Sequence, residues 1–360
     1  MGFTEQIKLR SSKLIVRDFG PNSQFSVADW TEELNVIPNQ WGTIGQLGIF
    51  QEEGVAEHVV QFEEIIKDGA LIVDRVRGDR SSVGKDWQRK IHSFNVPHFP
   101  DEDAIYPQDI QGKRAYGSAT EAETLDAVRG RKLQRIAQAH AWTLEAARAQ
   151  AITAGTAYAP NATVSSDYYQ EFTGTSRPTA IDFLFGTSTT EMLGKIEAAI
   201  AAIQDNSGSV NMTGVVALTS PAFFASLISH PTVKLAYQYY VSTQSPLRDR
   251  LADVGAVSGS LAMHRTFVYG GVTFIEMRDK YNGTALLTTN YCYFVATGTD
   301  FFRTYFSPAN KFGLVNTVGE RSYVFESTAP NGSAYVLETE SNHISCLMKP
   351  LLVVAATSST

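Results

Sequence analysis

Metal or nucleophilic chemistry in this chain would fall to seven histidines and two cysteines, and their spacing supports neither. The histidines stand at 58, 92, 98, 140, 230, 264 and 343, and the nearest pair, His92 and His98, straddles Pro97. Cys292 and Cys346 lie far apart, with no Cys-x-x-Cys partner to complete a zinc site. They read as buried, reduced thiols. The run Asp101-Glu102-Asp103 offers hard oxygen ligands, but the spaced acidic loop that encircles calcium is missing, so it reads as a solvated acidic turn. No phosphate-binding glycine loop, nucleophile elbow or His-Glu-x-x-His helix is present. The chemistry on offer needs no metal and no cofactor.

A denser constellation lies at 74–90. Asp74, Arg75, Arg77, Asp79, Arg80, Lys85, Asp86, Arg89 and Lys90 mix both signs on one polar stretch. Mixed charges of this kind set register and partner choice against another surface. The elements that must carry them read as strands: 58–63, 70–77 and 90–96, separated by glycine-flanked polar segments. Such a ribbon has too few apolar residues for its own core and is marginal alone in water. It should lean on a partner chain.

The rest of the chain positions that ribbon. Charged residues are 19% of 360 and the net charge is −7, a deficit of the cations that grip phosphate. Met1–Lys13 lacks the apolar core of a signal peptide, and no run reaches the ~18 apolar residues of a membrane span. Residues 1–50 read as an irregular arm, with one short helix at 26–34 capped by Ser26. Residues 119–153 read as one helix on the order of 50 Å long, free of proline and ending at Gly155. Its apolar stripe is Leu125, Val128, Leu133, Ile136, His140, Leu144, Ala147 and Ala151. Residues 167–173 read as extended. Ser188-Thr189-Thr190-Glu191 reads as a capping box opening a helix striped by Leu193, Ile196, Ile200 and Ile203. A strand at 215–218, a helix capped by Ser220-Pro221, strands at 267–277, 289–296 and 335–340, and a final strand at 351–354 complete an α+β chain.

Arm, ribbon, very long helix, α/β unit and β-rich return follow the order of the HK97-type capsid fold. Asn95-Val96-Pro97-His98-Phe99-Pro100-Asp101-Glu102-Asp103-Ala104-Ile105 and Asp109-Ile110-Gln111-Gly112 resemble the junction between E-loop and spine helix in lambda-type major capsid proteins, the E family of tailed bacteriophages. Lys349-Pro350-Leu351-Leu352-Val353-Val354 is similar to that family's last strand. The resemblance implies an N-arm at 1–50, an extended β-hairpin E-loop at 51–100, a P-domain at 101–187 and 316–360 built on the spine helix, and an α/β A-domain at 188–315. It implies a shell subunit of the virion, made and assembled in the host cytoplasm, whose first partner is itself in hexamers and pentamers. A separate scaffolding protein and a portal are further expected partners, a decoration protein is left open, and packaged DNA would be touched only non-specifically. Lys85 stands where some relatives carry a cross-linking lysine, though the E family does not depend on that chemistry. The implied interface is Arg75, Arg77, Asp79, Arg80, Lys85, Asp86 and Arg89 on the ribbon, with Pro97, His98, Asp101, Glu102 and Asp103 at the junction. Leu125, Val128, Leu133, Ile136 and Leu144 form the core stripe of the spine. The rival readings are an encapsulin-type nanocompartment shell and an α/β enzyme.

Overall fold

The computed structural model describes residues 15–17, 27–29, 42–66, 88–111, 124–161, 163, 166–208, 212–239, 264–281 and 283–358. Its longest element is the helix Leu125–Ala154. Thr124 is extended, and its hydroxyl accepts from the Ala127 N–H, so the helix begins there rather than at 119. Gly155 ends it in the left-handed region at φ 70°. A Cβ on Gly155 would lie 2.4 Å from the Tyr169 ring, so both backbone and packing demand glycine.

This helix is a spine in a physical sense, because its two halves sit in different cores. Val128, Leu133 and Ile136 pack with Ile105, Val324 and Leu337, and half-buried Leu125 joins them. Ala149, Ala151 and Ile152 belong instead to the main core. Leu144 and Ala147 are buried, as is His140, whose Nε2 meets the Thr339 hydroxyl at 3.1 Å.

A five-stranded sheet covers the first half, in the order Ile15–Arg17, Val27–Asp29, Tyr323–Thr328, Tyr335–Glu340 and Pro100–Ile105. Two sequence expectations fail here. The segment at 26–34 contains the strand Val27–Asp29, paired to Phe325 and Glu326, and not a helix beginning at Ser26. Neighbouring backbone outweighs the local cap signal. The acidic run is likewise no turn. It lies in a strand in register with 337–339. Proline is tolerated at the start of this strand because the strand is at the sheet's edge.

The main core lies under a six-stranded sheet ordered Ile181–Asp182, Val353–Thr357, Tyr291–Thr297, Gly214–Thr219, Val272–Glu276 and Thr266–Tyr269. Phe183, Phe223, Phe274 and Phe294 are fully buried around it. Ser220 caps Pro221–Ser229 as its spacing predicts. The stretch 267–277 is a hairpin and not one strand, folded at Gly270 and Gly271, both at positive φ. The capping box at 188–191 is unused. Helix Met192–Ser207 starts after Glu191 with no side-chain cap, and it buries Met192, Ile196, Ala199 and Ile203 while Leu193 is exposed. Residues 168–173 form a helix, with the Asp167 carboxylate accepting from the Tyr169 and Gln170 N–H groups. The final strand is preceded by a 3-10 turn, Pro350–Leu352, and runs Val353–Thr357. A third sheet, Asn342–Leu347, Phe302–Ser307 and Gln51–Gly54, connects the two larger ones.

Candidate assembly interface

The ribbon is described at its root. Val59–Ile66 pairs antiparallel with Gln88–Asn95, from Val59 opposite Asn95 to Ile66 opposite Gln88. The expected strand at 70–77 and the residues Arg75, Arg77, Asp79, Arg80, Lys85 and Asp86 lie outside the described residues. Alternation divides the root into two faces. Phe62 and Phe94 turn inward, against Tyr305, Tyr168 and Phe172. Gln61, Glu63, Arg89 and Ser93 turn out, and Ile91 among them is 63% exposed. Arg89 meets Glu63 at 3.9 Å with both side chains open to water, a pair worth roughly 0–1 kcal/mol.

Between the faces lies a fastening that the sequence did not announce. His92 is fully buried, its Nδ1 2.9 Å from Glu171 Oε1 and its Nε2 3.1 Å from Glu64 Oε2. Lys90 Nζ adds a bond of 2.7 Å to the Glu171 carbonyl. The ribbon root is thus tied to helix Tyr168–Thr173.

At the junction, Pro97 is buried and His98 is exposed, with its Nδ1 2.8 Å from Asn342 Oδ1. Asp103 differs from its two neighbours. Lys132 Nζ lies 2.7 Å and Arg135 Nη2 2.5 Å from its carboxylate. Burial pushes that carboxyl up, but the Lys132 hydrogen bond and the two positive charges outweigh it and hold it below the usual range. Asp103 is therefore committed to the spine of its own subunit, whereas Asp101 and Glu102 are exposed.

A second cluster joins arm, ribbon base and spine. Glu145 is buried in the helix, accepting from the Ile44 N–H at 2.6 Å and the Gly45 N–H at 3.1 Å. Arg148, one turn on, donates to Glu52 Oε1 at 2.7 Å, and Arg321 reaches the same oxygen at 2.5 Å. Thr43 bonds Asp279 and lies 3.0 Å from His264 Nε2. Burial pushes the Glu145 carboxyl up to about 7, against the Ile44 and Gly45 amides and Arg148, with Asp279 adding to the rise. The folded state thus holds a proton that the unfolded chain releases near 4.5. This stabilisation is complete below that value and lost as pH rises through about 7, a fall of roughly 3 kcal/mol at most. Glu145→Gln should remove this dependence. Urea unfolding at pH 5 and pH 8 reads it as a difference between variant and wild type, in which the buried histidines cancel. Identical pH slopes in the two proteins would refute the assignment.

Among the described residues, no group of His, Cys, Asp and Glu gathers to hold a metal, and no helix is long and apolar enough to cross a membrane. Both cysteines are buried and free, and burial pushes both thiols up.

Known proteins resemble this chain. A family model described as phage major capsid protein E matches residues 26–358. The major capsid protein of Pseudomonas phage KPP10 is 43% identical over 345 residues, covering 92% of this chain and 96% of that one. The major capsid protein of Salmonella phage Felix O1 is 26% identical over 359 residues, with the same coverage. Among solved structures, a putative capsid protein of an E. coli CFT073 prophage superposes with a TM-score of 0.54 at 13% identity, over 91% of this chain and 96% of that one. The fold is the α+β HK97-type fold. Neither a nanocompartment shell nor an α/β enzyme is favoured by these relatives.

Proposed function

The chain belongs to the phage major capsid protein E family, and from that premise we propose that it builds the icosahedral head of a tailed phage from hexamers and pentamers of itself. The observation that carries this reading is the family match along nearly the whole chain. The head encloses double-stranded DNA, which an acidic subunit with a net charge of −7 touches without gripping. Assembly takes place in the host cytoplasm around a separate scaffolding protein and against a portal.

Each part has a role in this reading. The arm at 1–50 ties adjacent subunits. The E-loop at 51–100 reaches over a neighbour, supported by the charged outer face of its root and by exposed Ile91. The P-domain comprises 101–187 and the strands after 315. The A-domain at 188–315 points to the capsomer centre. The strand Val353–Thr357 pairs with Tyr291–Thr297, so the returning chain lies in one sheet with strands of the A-domain.

The ribbon's charges select the neighbour. Arg77→Glu or Arg80→Glu should lower shell yield severalfold at low salt, because partly exposed pairs repeat around every capsomer. Asp101→Arg or Glu102→Arg in the same chain should restore part of the yield. Asp103 is a poorer candidate, since Lys132 and Arg135 already hold it. Sedimentation and negative-stain micrographs read the outcome. Wild-type yield from both reversals would leave these charges with solubility alone. Deleting 78–85 should leave soluble subunits and no shells.

A further inference from the structure

We propose that the loop between Phe302–Ser307 and Tyr323–Thr328 is a contact for a second copy of this chain, made through Phe312, Val315 and Val318. The inference rests on the capsid reading and names a surface that the family resemblance did not. Phe312 is 96% exposed, Val315 63% and Val318 66%. They recur every third residue, while Leu314 and Gly319 between and beside them are buried. Leu314 is 4% exposed, and a Cβ on Gly319 would fall 2.1 Å from the Phe306 carbonyl oxygen.

The loop holds its shape without the three apolar side chains. A 3-10 turn, Phe312–Leu314, follows Lys311, and the Leu314 N–H reaches the Lys311 carbonyl at 3.0 Å. The Thr317 N–H reaches the Leu314 carbonyl at 3.2 Å, and the Gly319 N–H reaches that of Val55 at 2.9 Å. The Glu340 carboxylate accepts the Asn310 N–H at 2.8 Å. Lys311, the charge nearest Phe312 in the chain, is paired with Glu338. The result is a rigid apolar trio on the surface, where a single subunit gains nothing from it.

Area and position identify the occupant. A near-fully exposed Phe and two half-exposed Val offer on the order of 400 Å². A stable pair of proteins needs about 800 Å² on each partner. The trio is therefore too small to hold a separate partner by itself. It suits a contact repeated by identical copies in a closed shell, where no single contact must persist alone. It also continues the surface assigned to assembly, for Gly54 at the entrance to the ribbon meets Val318 and Gly319.

The test is thiol accessibility. Cys292 and Cys346 are 0% exposed, so maleimide has little native background. Phe312→Cys should react freely in the isolated subunit and at least tenfold more slowly in assembled shells. Phe312→Ser and Val318→Ser should melt as wild type does, since both sites are exposed, yet reduce shell yield severalfold. Shells that form normally while Phe312→Cys labels at the free-subunit rate overturn the contact and leave the capsid reading standing. Wild-type protein that stays monomeric even when co-expressed with its scaffolding protein overturns the capsid reading, and this contact with it.

Discussion

Ile136→Asp leaves the subunit insoluble. Ile136 is 1% exposed, and it sits in the small core formed by the first half of the spine with Ile105, Val324 and Leu337. Losing the buried side chain alone costs about 2–3 kcal/mol. An unpaired carboxylate in its place adds several more or must take up a proton. No cation is free to rescue it from the preceding turn, because Lys132 is held by Asp103 and by the Ala104 carbonyl. The sum approaches the ~5–15 kcal/mol that holds a typical domain together. Leu133→Asp, in the same core, should behave alike. Ile136→Val removes one methylene, costs about 0.5–1.5 kcal/mol and should stay soluble. The soluble fraction after expression, with urea midpoints for the soluble variants, checks the series. Soluble, folded Ile136→Asp would mean that this stripe faces water.

That core was legible in the sequence because a proline-free helix with a 3.6-residue apolar period has one reading. The strand at 214–219 and the cap at Ser220-Pro221 were legible for similar local reasons. Tyr168–Thr173 was not, because two tyrosines and a phenylalanine within six residues carry strand propensity. The deciding signals were the flanks, Asp167 as cap and Gly174 in the left-handed conformation. The edge strand at Pro100–Ile105 follows from pairing with residues more than two hundred positions away, and the strand at Val27–Asp29 joins Ile15–Arg17 to the equally distant Phe325 and Glu326, which no local pattern encodes. The proposed interface divides in the same way. Charge composition marked the ribbon and the junction, but not that Asp103 is bound within its own subunit. His92, Glu145 and Arg148 were missed because each lies where separate segments converge, and a helical period reports only the apolar part of a buried face.

Arg148 shows how much rests on such a convergence. Its side chain is 4% exposed, donates to Glu52 Oε1 at 2.7 Å, and stands 5.9 Å from the centre of the Phe50 ring. Burial pushes the Glu52 carboxyl up, and the hydrogen bonds and charges of Arg148 and Arg321 outweigh it and hold it low. Arg148 also opposes the rise at Glu145. Arg148→Ala removes the shared cation and leaves Glu145 buried without it. Because the Glu52 side chain is 37% exposed, water offsets part of the loss, and the cost lies below the roughly 3–5 kcal/mol of a fully buried pair broken from one side. The loss should fall on the attachment of the arm and ribbon base to the spine, so limited proteolysis between residues 42 and 58 should accelerate before the six-stranded sheet unfolds. Glu145→Gln in the Arg148→Ala background should recover part of the stability, because it removes the charge left uncompensated. A double-mutant cycle from urea unfolding at pH 8, above the value of about 7 that Glu145 has beside Arg148, measures that recovery. Strictly additive losses would mean that Glu145 and Arg148 act separately, and that the arm is held to the spine by packing at Ile44 and not by this pair.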